Sequence, residues 1–397
     1  MENRYDKYKD SGIAWIGEIP EHWEIKRLKN VSDFNPQNGQ SISNFSEVGY
    51  LPMERLKNGY MLPSVINVYN LTQGLTFFKE NDIVMAKVTP CFENGNIAIA
   101  KNLINNCGFG SSELFIFRVR NINREYFFYL LQEEKIKEVC KSTMIGTGGL
   151  KRISPTFMRN LLLPIPPTLE QQSIATYLDQ KCGEIDELIT LQEEMITKLQ
   201  SYKQSVITEA VTKGLDKNVP LKDSGIEWIG EIPEHWDTYK LKRCSKFING
   251  YAFNSNHFNK DKGIPVIRIG DILNEQISFE NIVYVQENNE LEKFIVHKND
   301  ILIAMSGATV GKIGLYSSDD IVYINQRVGI IRATLYNYIK RMFSTNGFID
   351  YINLSSAGSA QPNISSDGIL NFNIPVPPIN EQQSIADYLD QKCSEID

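Results

Sequence analysis

Apolar and polar positions alternate along this chain in two distinct rhythms, which divide it into regions. Short runs rich in β-branched and aromatic residues stand at 83–88, 114–119, 264–269, 301–305 and 328–331, punctuated by Gly and Asn, and predict strands. A 3.6-residue rhythm at 124–142 predicts a helix. From Leu178 the spacing becomes 4-3 and persists: Leu178, Cys182, Ile185, Ile189, Ile196, Leu199, Val206 and Ala210, with Gln192 and Lys203 breaking the stripe. This predicts a helix over 169–213, stopped by Gly214 and about 68 Å long at 1.5 Å per residue. So narrow a seam implies one partner helix, as in a coiled coil. Thr168 before Gln171, and Asn380 before Gln383, supply the expected capping boxes after the prolines at 164–167 and 375–378.

The chain also repeats itself at a period near 212 residues. SGIAWIGEIPEHW at 11–23 returns as SGIEWIGEIPEHW at 224–236, and EQQSIATYLDQKCGEID at 170–186 returns as EQQSIADYLDQKCSEID at 381–397. Between these blocks lie two diverged, domain-sized inserts. A faint kinship survives inside them, KENDIVMAKVTPCFENGNIAIA at 79–100 against HKNDILIAMSGATVGKIGLY at 297–316, each read as strand, loop, strand. The organisation read from this is a conserved segment 1–23, a first insert domain 24–167, a long spacer helix 168–214, the returning segment 215–236, a second insert domain 237–378 and a second helix 379–397. The second copy of the helix stops where the first has only reached Asp186. In an antiparallel pairing it leaves Leu178 to Ile189 partly unpaired, and this seam is expected to meet another chain, self-association included.

The 397 residues exceed what one core organises, and no run approaches the roughly 20 apolar residues of a membrane span. The opening ten residues are polar, without signal-peptide character, so a cytoplasmic location is expected. Six cysteines form no CxxC pair and read as reduced thiols. The net charge of −7 is segregated: residues 24–160 carry +5, residues 161–236 carry −7 and residues 237–378 carry +1. Base is therefore gathered in the inserts and acid in the connectors, which keeps nucleic-acid binding open.

Catalytic chemistry finds little support. Gly307-Ala308-Thr309-Val310-Gly311-Lys312 resembles a phosphate-binding loop but has three residues between its glycines and no Ser/Thr after the lysine. Gly146-Thr147-Gly148-Gly149 follows no convincing buried strand and is read as a mobile turn. His22 and His235 recur in Glu-His-Trp, where each His-Trp pair is expected to dock the connector against the following domain. His257 and His297 stand singly, and no Ser-His-Asp or metal-ligand spacing emerges. Binding chemistry is better represented. The candidates for DNA contact are Lys87, Thr89, Asn94, Asn96, Ser111 and Ser112 in the first insert, and Ser306, Thr309, Lys312, Asn325, Gln326 and Arg327 in the second. Asn and Gln can bond adenine bidentately, Arg can do so with guanine, and Lys or Ser can hold phosphates.

Paired variable inserts, each followed by Pro-x-Pro-Pro-x-x-Glu-Gln-Gln at the start of a long helix, and the lead-in Trp-Ile-Gly-Glu-Ile-Pro-Glu-His-Trp, resemble the specificity subunits of type I restriction-modification enzymes. The resemblance covers essentially the whole chain. It implies an α+β architecture: two mainly β target-recognition domains with some helices, separated by long helices in an antiparallel coiled coil with pseudo-two-fold repeat. It also implies a chain without a catalytic site, each domain reading one half of a bipartite double-stranded DNA site. Two modification subunits holding S-adenosylmethionine would methylate adenine N6, and restriction subunits would add ATP- and Mg-dependent translocation and cleavage, leaving no cofactor in this chain. Two other readings remain: a self-contained DNA methyltransferase or nuclease, for which no Asn/Asp-Pro-Pro-Tyr/Phe motif or carboxylate cluster is seen, and a coiled-coil scaffold.

Overall fold

The computed structural model describes residues 5–37, 45–147, 149–273, 275–356 and 361–397, so Gly148 of the glycine-rich turn lies outside the described residues. The chain divides into two compact units, Met1–Ile189 and Thr190–Asp397. Each is built around a four-stranded antiparallel sheet. In the first the order is Ser32–Phe34, Leu114–Val119, Ile83–Ala86, Ile97–Ile99. In the second it is Lys246–Asn249, Val328–Arg332, Ile301–Ala304, Ile313–Leu315. The strands fall where the apolar runs placed them.

These runs are continuous because both faces of the central strands are covered. Side chains alternate across a strand. In the first unit Ile83, Met85, Phe115 and Phe117 join a core with Phe127, Ile136, Cys140 and Met158 from helices, whereas Val84, Ala86, Leu114 and Ile116 join Leu51 and Phe78 of a second sheet. The second unit repeats this, with Ile301, Ile303 and Ile331 facing the helical side and Leu302, Ala304, Val328 and Ile330 the other. The second sheet has the order Ser64–Asn67, Glu47–Leu51, Cys107–Gly110, Thr76–Lys79 in one unit and Val283–Val285, Ile264–Ile267, Tyr323–Ile324 in the other, each with one parallel pair. The layers are thus helices, sheet, sheet.

The kinship between the inserts becomes a shared device. Asn81 and Asn299 adopt positive φ (71° and 74°) and turn the chain into a buried aspartate. Asp82 accepts from the Lys79 amide and bidentately from Arg118 (2.8 and 2.7 Å), and Asp300 accepts from the His297 amide and from Arg332 (2.8 and 2.6 Å). A buried carboxylate so placed is tolerated because every oxygen is matched.

Where the rhythm predicted one helix at 124–142 there are two, Arg124–Leu130 and Glu134–Ser142, the second capped by the Glu133 carboxylate, which accepts from the Ile136 amide. The spacer helix runs Thr168–Lys213 and ends at Gly214, whose φ of +77° places it against the Trp236 ring. The predicted capping boxes are not made. The Gln171 carboxamide is spent on Pro166 O and the Asn123 amide. Asn380 sits inside the terminal helix Ile379–Ile396, which Pro378 caps without a side-chain bond. Prolines with fixed φ start both helices, leaving the side chains free for tertiary contacts.

Within the second unit the terminal helix meets the spacer helix only along the latter's last turns. Lys203 pairs with Asp397 at 2.6 Å, the Tyr338 hydroxyl lies between Val211 O and Pro375 O, and Ile207, Ala210 and Val211 share a core with Ile385, Ala386, Leu389 and Cys393. The two segments run in opposite senses, as the coiled-coil expectation required, over this short stretch alone. Ile185, Leu188, Ile189, Leu191, Met195, Ile196, Leu199 and Tyr202 remain exposed. Among the described residues no helix is long and apolar enough to cross a membrane.

Candidate nucleic-acid interface

The register of the central strands decides where the candidate residues go. Ala86 pairs with Leu114, so the turn that follows 86 and the turn that precedes 114 emerge side by side, joined by Lys87 N donating to Glu113 O at 3.0 Å. Ala304 pairs with Val328 in the second unit, and Met305 N donates to Arg327 O at 2.9 Å. A third segment joins each pair. Val88 bridges Arg152 in one unit and Ser306 bridges Asn363 in the other. All twelve candidates therefore gather at one edge of their own central sheet, in two equivalent clusters.

Their side chains do different work. Thr89 is buried, and its hydroxyl donates to Gly149 O (2.6 Å) while accepting from Lys151 N (2.9 Å). Ser111 Oγ accepts from Glu113 N within its own turn, and Lys87 Nζ donates to Ser112 O at 2.6 Å while lying over the Phe115 ring. These three shape the edge. Asn94 and Ser112 are exposed there and Asn96 is half-buried. In the second unit buried Ser306 accepts from Arg327 Nη1 at 3.1 Å, and Thr309 donates to Ser306 O. Lys312, Gln326 and Arg327 are exposed and Asn325 is half-buried. The clusters differ in charge at one equivalent position, since Glu113, bonded bidentately to Arg152 (2.9 and 3.0 Å), stands where the second unit has Arg327. Glu113 is held below the usual carboxylate range chiefly by that arginine.

The turn at 307–312 spends its backbone N–H groups on protein carbonyls: Gly307 on Pro362, Gly311 on Ala304 and Lys312 on Thr309. A phosphate cradle needs such groups pointing outward, so the phosphate-loop likeness ends at the sequence. Gly146 and Thr147 of the glycine-rich segment read as a mobile turn lie in a strand, Ile145–Thr147, paired with Leu150–Arg152 in a two-stranded ribbon, with Gly149 in its turn. Sequence reasoning missed it, although glycines flanked by Ile-Gly-Thr and Leu-Lys-Arg are a hairpin signal. Among the described residues no three His, Cys, Asp or Glu side chains gather as a metal site.

The His-Trp pairs grip the helix that follows each insert, and Trp236 also joins the core of the second insert with Leu241, Ile303, Ile331 and Phe372. Trp23 Nε1 donates to Glu170 Oε1 at 3.1 Å and His22 Nε2 lies 2.9 Å from Oε2; Trp236 Nε1 donates to Glu381 Oε2 at 2.9 Å and His235 Nε2 lies 2.7 Å from Oε1. Tyr5 adds its hydroxyl to Glu170, and that bond, with partial burial, pushes the phenol up to about 12. Burial works against ionisation of Glu170, but the bonds from Tyr5, His22 and Trp23 prevail and hold its carboxyl below the usual range. Each clasp closes its domain at the root.

Known proteins fit this architecture. The family model described as type I restriction modification DNA specificity domain matches residues 20–200 and again 233–397. The chain is 23% identical to the Escherichia coli type I restriction enzyme EcoAI specificity subunit, over 96% of this chain and 79% of that one. It is 26% identical to the Methanocaldococcus jannaschii type I restriction enzyme MjaVIII specificity subunit, over 94% and 86%. Its fold is shared with a chain from a structure of type I R-M complex assembly and conformational transition (TM-score 0.76, 18% identity, 95% of this chain and 92% of that chain). It is also shared with the HsdS subunit from Thermoanaerobacter tengcongensis (TM-score 0.57, 18% identity, 95% and 90%). With two matched copies of the specificity domain spanning most of its length, the chain belongs to the type I restriction-modification DNA specificity family.

Proposed function

We propose that each of the two units reads one half of a bipartite DNA sequence, in a chain that is the DNA-recognition subunit of a type I restriction-modification complex. One observation carries this reading: both units keep the same frame, down to the Asp82–Arg118 and Asp300–Arg332 pairs, and differ in the polar cluster at the equivalent sheet edge. A conserved frame with a changed edge suits two readers of different bases. Arg327 suits guanine, Gln326 and Asn94 suit adenine, and Lys312 suits a phosphate. Chemistry then belongs to partners: two modification subunits holding S-adenosylmethionine for adenine-N6 methylation, and restriction subunits using ATP and Mg. The spacer helix sets the half-site separation, and the complex works in the cytoplasm on double-stranded DNA. The exposed apolar seam from Ile185 to Tyr202 takes a helix from another chain, with self-association one form of this. Sedimentation of the chain at high concentration as a strict monomer would rule that form out.

Methylome mapping of cells expressing this chain with its modification partner tests the central claim. A bipartite N6-methyladenine motif appears only when the chain is present, and exchanging residues 24–163 for those of another family member alters one half-site. A motif independent of the chain, or change in both halves, overturns the reading.

A further inference from the structure

The ribbon Ile145–Thr147 with Leu150–Arg152 projects large apolar side chains into solvent, Ile145 at 77% and Leu150 at 53% exposure. Its register pairs Ile145 with Arg152 and Thr147 with Leu150, so these four side chains share one face, while Lys151 opposite Gly146 takes the other. Gly146 is required by the crossing itself, since a Cβ there would meet Leu150 O at 2.1 Å. The ribbon is also firmly rooted. Ile153 N donates to Lys87 O and Thr89 N to Lys151 O, the Thr89 hydroxyl donates to Gly149 O and accepts from Lys151 N along the second strand, and Arg152 is forked onto Glu113. Over residues 141–152 the charges are Lys141, Lys151 and Arg152, with no acidic residue. A rigid, basic ribbon with an apolar face beside the polar cluster is built to meet a polyanion that offers an apolar feature.

We propose that this ribbon is a second base-reading element of the first unit, beside the polar cluster: it enters the DNA major groove, where Ile145 and Leu150 contact the 5-methyl group of thymine and Lys151 meets a backbone phosphate. The assignment rests on the DNA-reading function above and extends it to residues outside the twelve candidates. Groove width selects the groove, since a two-stranded ribbon fits the major groove of about 12 Å and not the minor groove of about 6 Å. In the major groove the thymine methyl is the apolar feature available to an isoleucine or leucine. Thr89 and Arg152 then act as positioning residues, holding the ribbon without touching bases.

The test uses the chain assembled with its modification subunits and duplexes carrying the methylome-defined motif, the first unit's half-site being identified by exchange of residues 24–163. Each thymine of that half-site is replaced in turn by uracil, which removes only the methyl group. Wild-type complex loses about 4-fold in affinity at one or more positions, the value of one buried methyl. The pair Ile145→Ser and Leu150→Ser binds the thymine duplex about 5- to 20-fold more weakly, no longer distinguishes uracil from thymine, and relaxes the methylated motif in that half alone. Lys151→Ala lowers the slope of log affinity against log salt by about 1 and leaves the motif intact. Indifference of the wild-type complex to every thymine-to-uracil change overturns the assignment without reference to any variant's folding, as does a double variant with an unchanged motif. Absence of any motif dependent on this chain overturns the parent reading, and is distinguished by failing with wild-type protein in both halves.

Discussion

Residues 170–186 and 381–397 differ at two positions of seventeen, yet the two units treat them differently. Ile385, Ala386, Leu389 and Cys393 are all buried in a core that they share with Tyr338, Ile339 and Met342 of helix Tyr336–Phe343 and with Ile207, Ala210 and Val211 of the spacer helix. Of the equivalent Ile174, Ala175, Leu178 and Cys182, only Ala175 is buried, and Cys182 is exposed. The anchors differ too. Asp179 accepts from the Tyr129 hydroxyl at 2.7 Å, whereas the equivalent Asp390 accepts from buried Arg341 at 2.6 Å, with Glu275 on the guanidinium's other side. The same helix sequence thus forms the same helix and the same clasp in both units, but its apolar seam is satisfied only where a second segment lies across it.

The largest expected difference between the units lies in their clasps. Trp236 is fully buried and Trp23 only half so, so Trp236→Ala should cost about 3–5 kcal/mol in the second unit's unfolding, and Trp23→Ala about half as much in the first. Differential scanning calorimetry of the whole chain reads both, and equal losses would break the contrast. The buried aspartates should behave alike. Asp82→Ala and Asp300→Ala each strand an arginine and should each cost roughly 3 kcal/mol, while a large inequality would deny that the two frames are equivalent.

A smaller contrast follows at the helix anchors. Asp390→Asn weakens the partner of a buried arginine and should cost about 2 kcal/mol, whereas Asp179→Asn, facing a tyrosine hydroxyl, should cost about 0.5–1 kcal/mol in the same calorimetric assay. The smallest effect is on pH. The Glu170 carboxyl is depressed in the fold, so its stabilisation is fully present above the unfolded value of about 4.3 and is lost as pH falls through the folded one. Glu170→Gln should remove this part of the acid sensitivity, read from the Trp23 indole N–H resonance during acid titration. A wild-type-like acid profile in that variant would assign the sensitivity elsewhere.

Much of this molecule was legible in the chain because it depends on local chemistry. The continuous apolar run at 114–119 is a strand buried on both faces, and the 4-3 stripe is a single helix, ended by the glycine that can take positive φ. The helical run at 124–142 was misjudged at its middle, where Glu133 caps a new helix from within a polar stretch that periodicity does not register. Candidate DNA-contact residues were found by type, and their burial sorted them: Thr89 and Ser306 proved to be braces, while Gln326 and Arg327 stand exposed.

The sequence by itself determined the duplication, the strand and helix segments and the polar clusters, because these follow from periodicity, glycine and proline, all of which act within a few residues. Only the tertiary structure decided that Glu170 and Glu381 would be clasped by residues some 145 or more positions away, and that a glycine-rich segment would stand as a braced ribbon. It alone also decided which copy of the repeated helix would be covered. Those outcomes depend on strand register and on which distant segments meet, and neither is encoded in any one stretch of the chain.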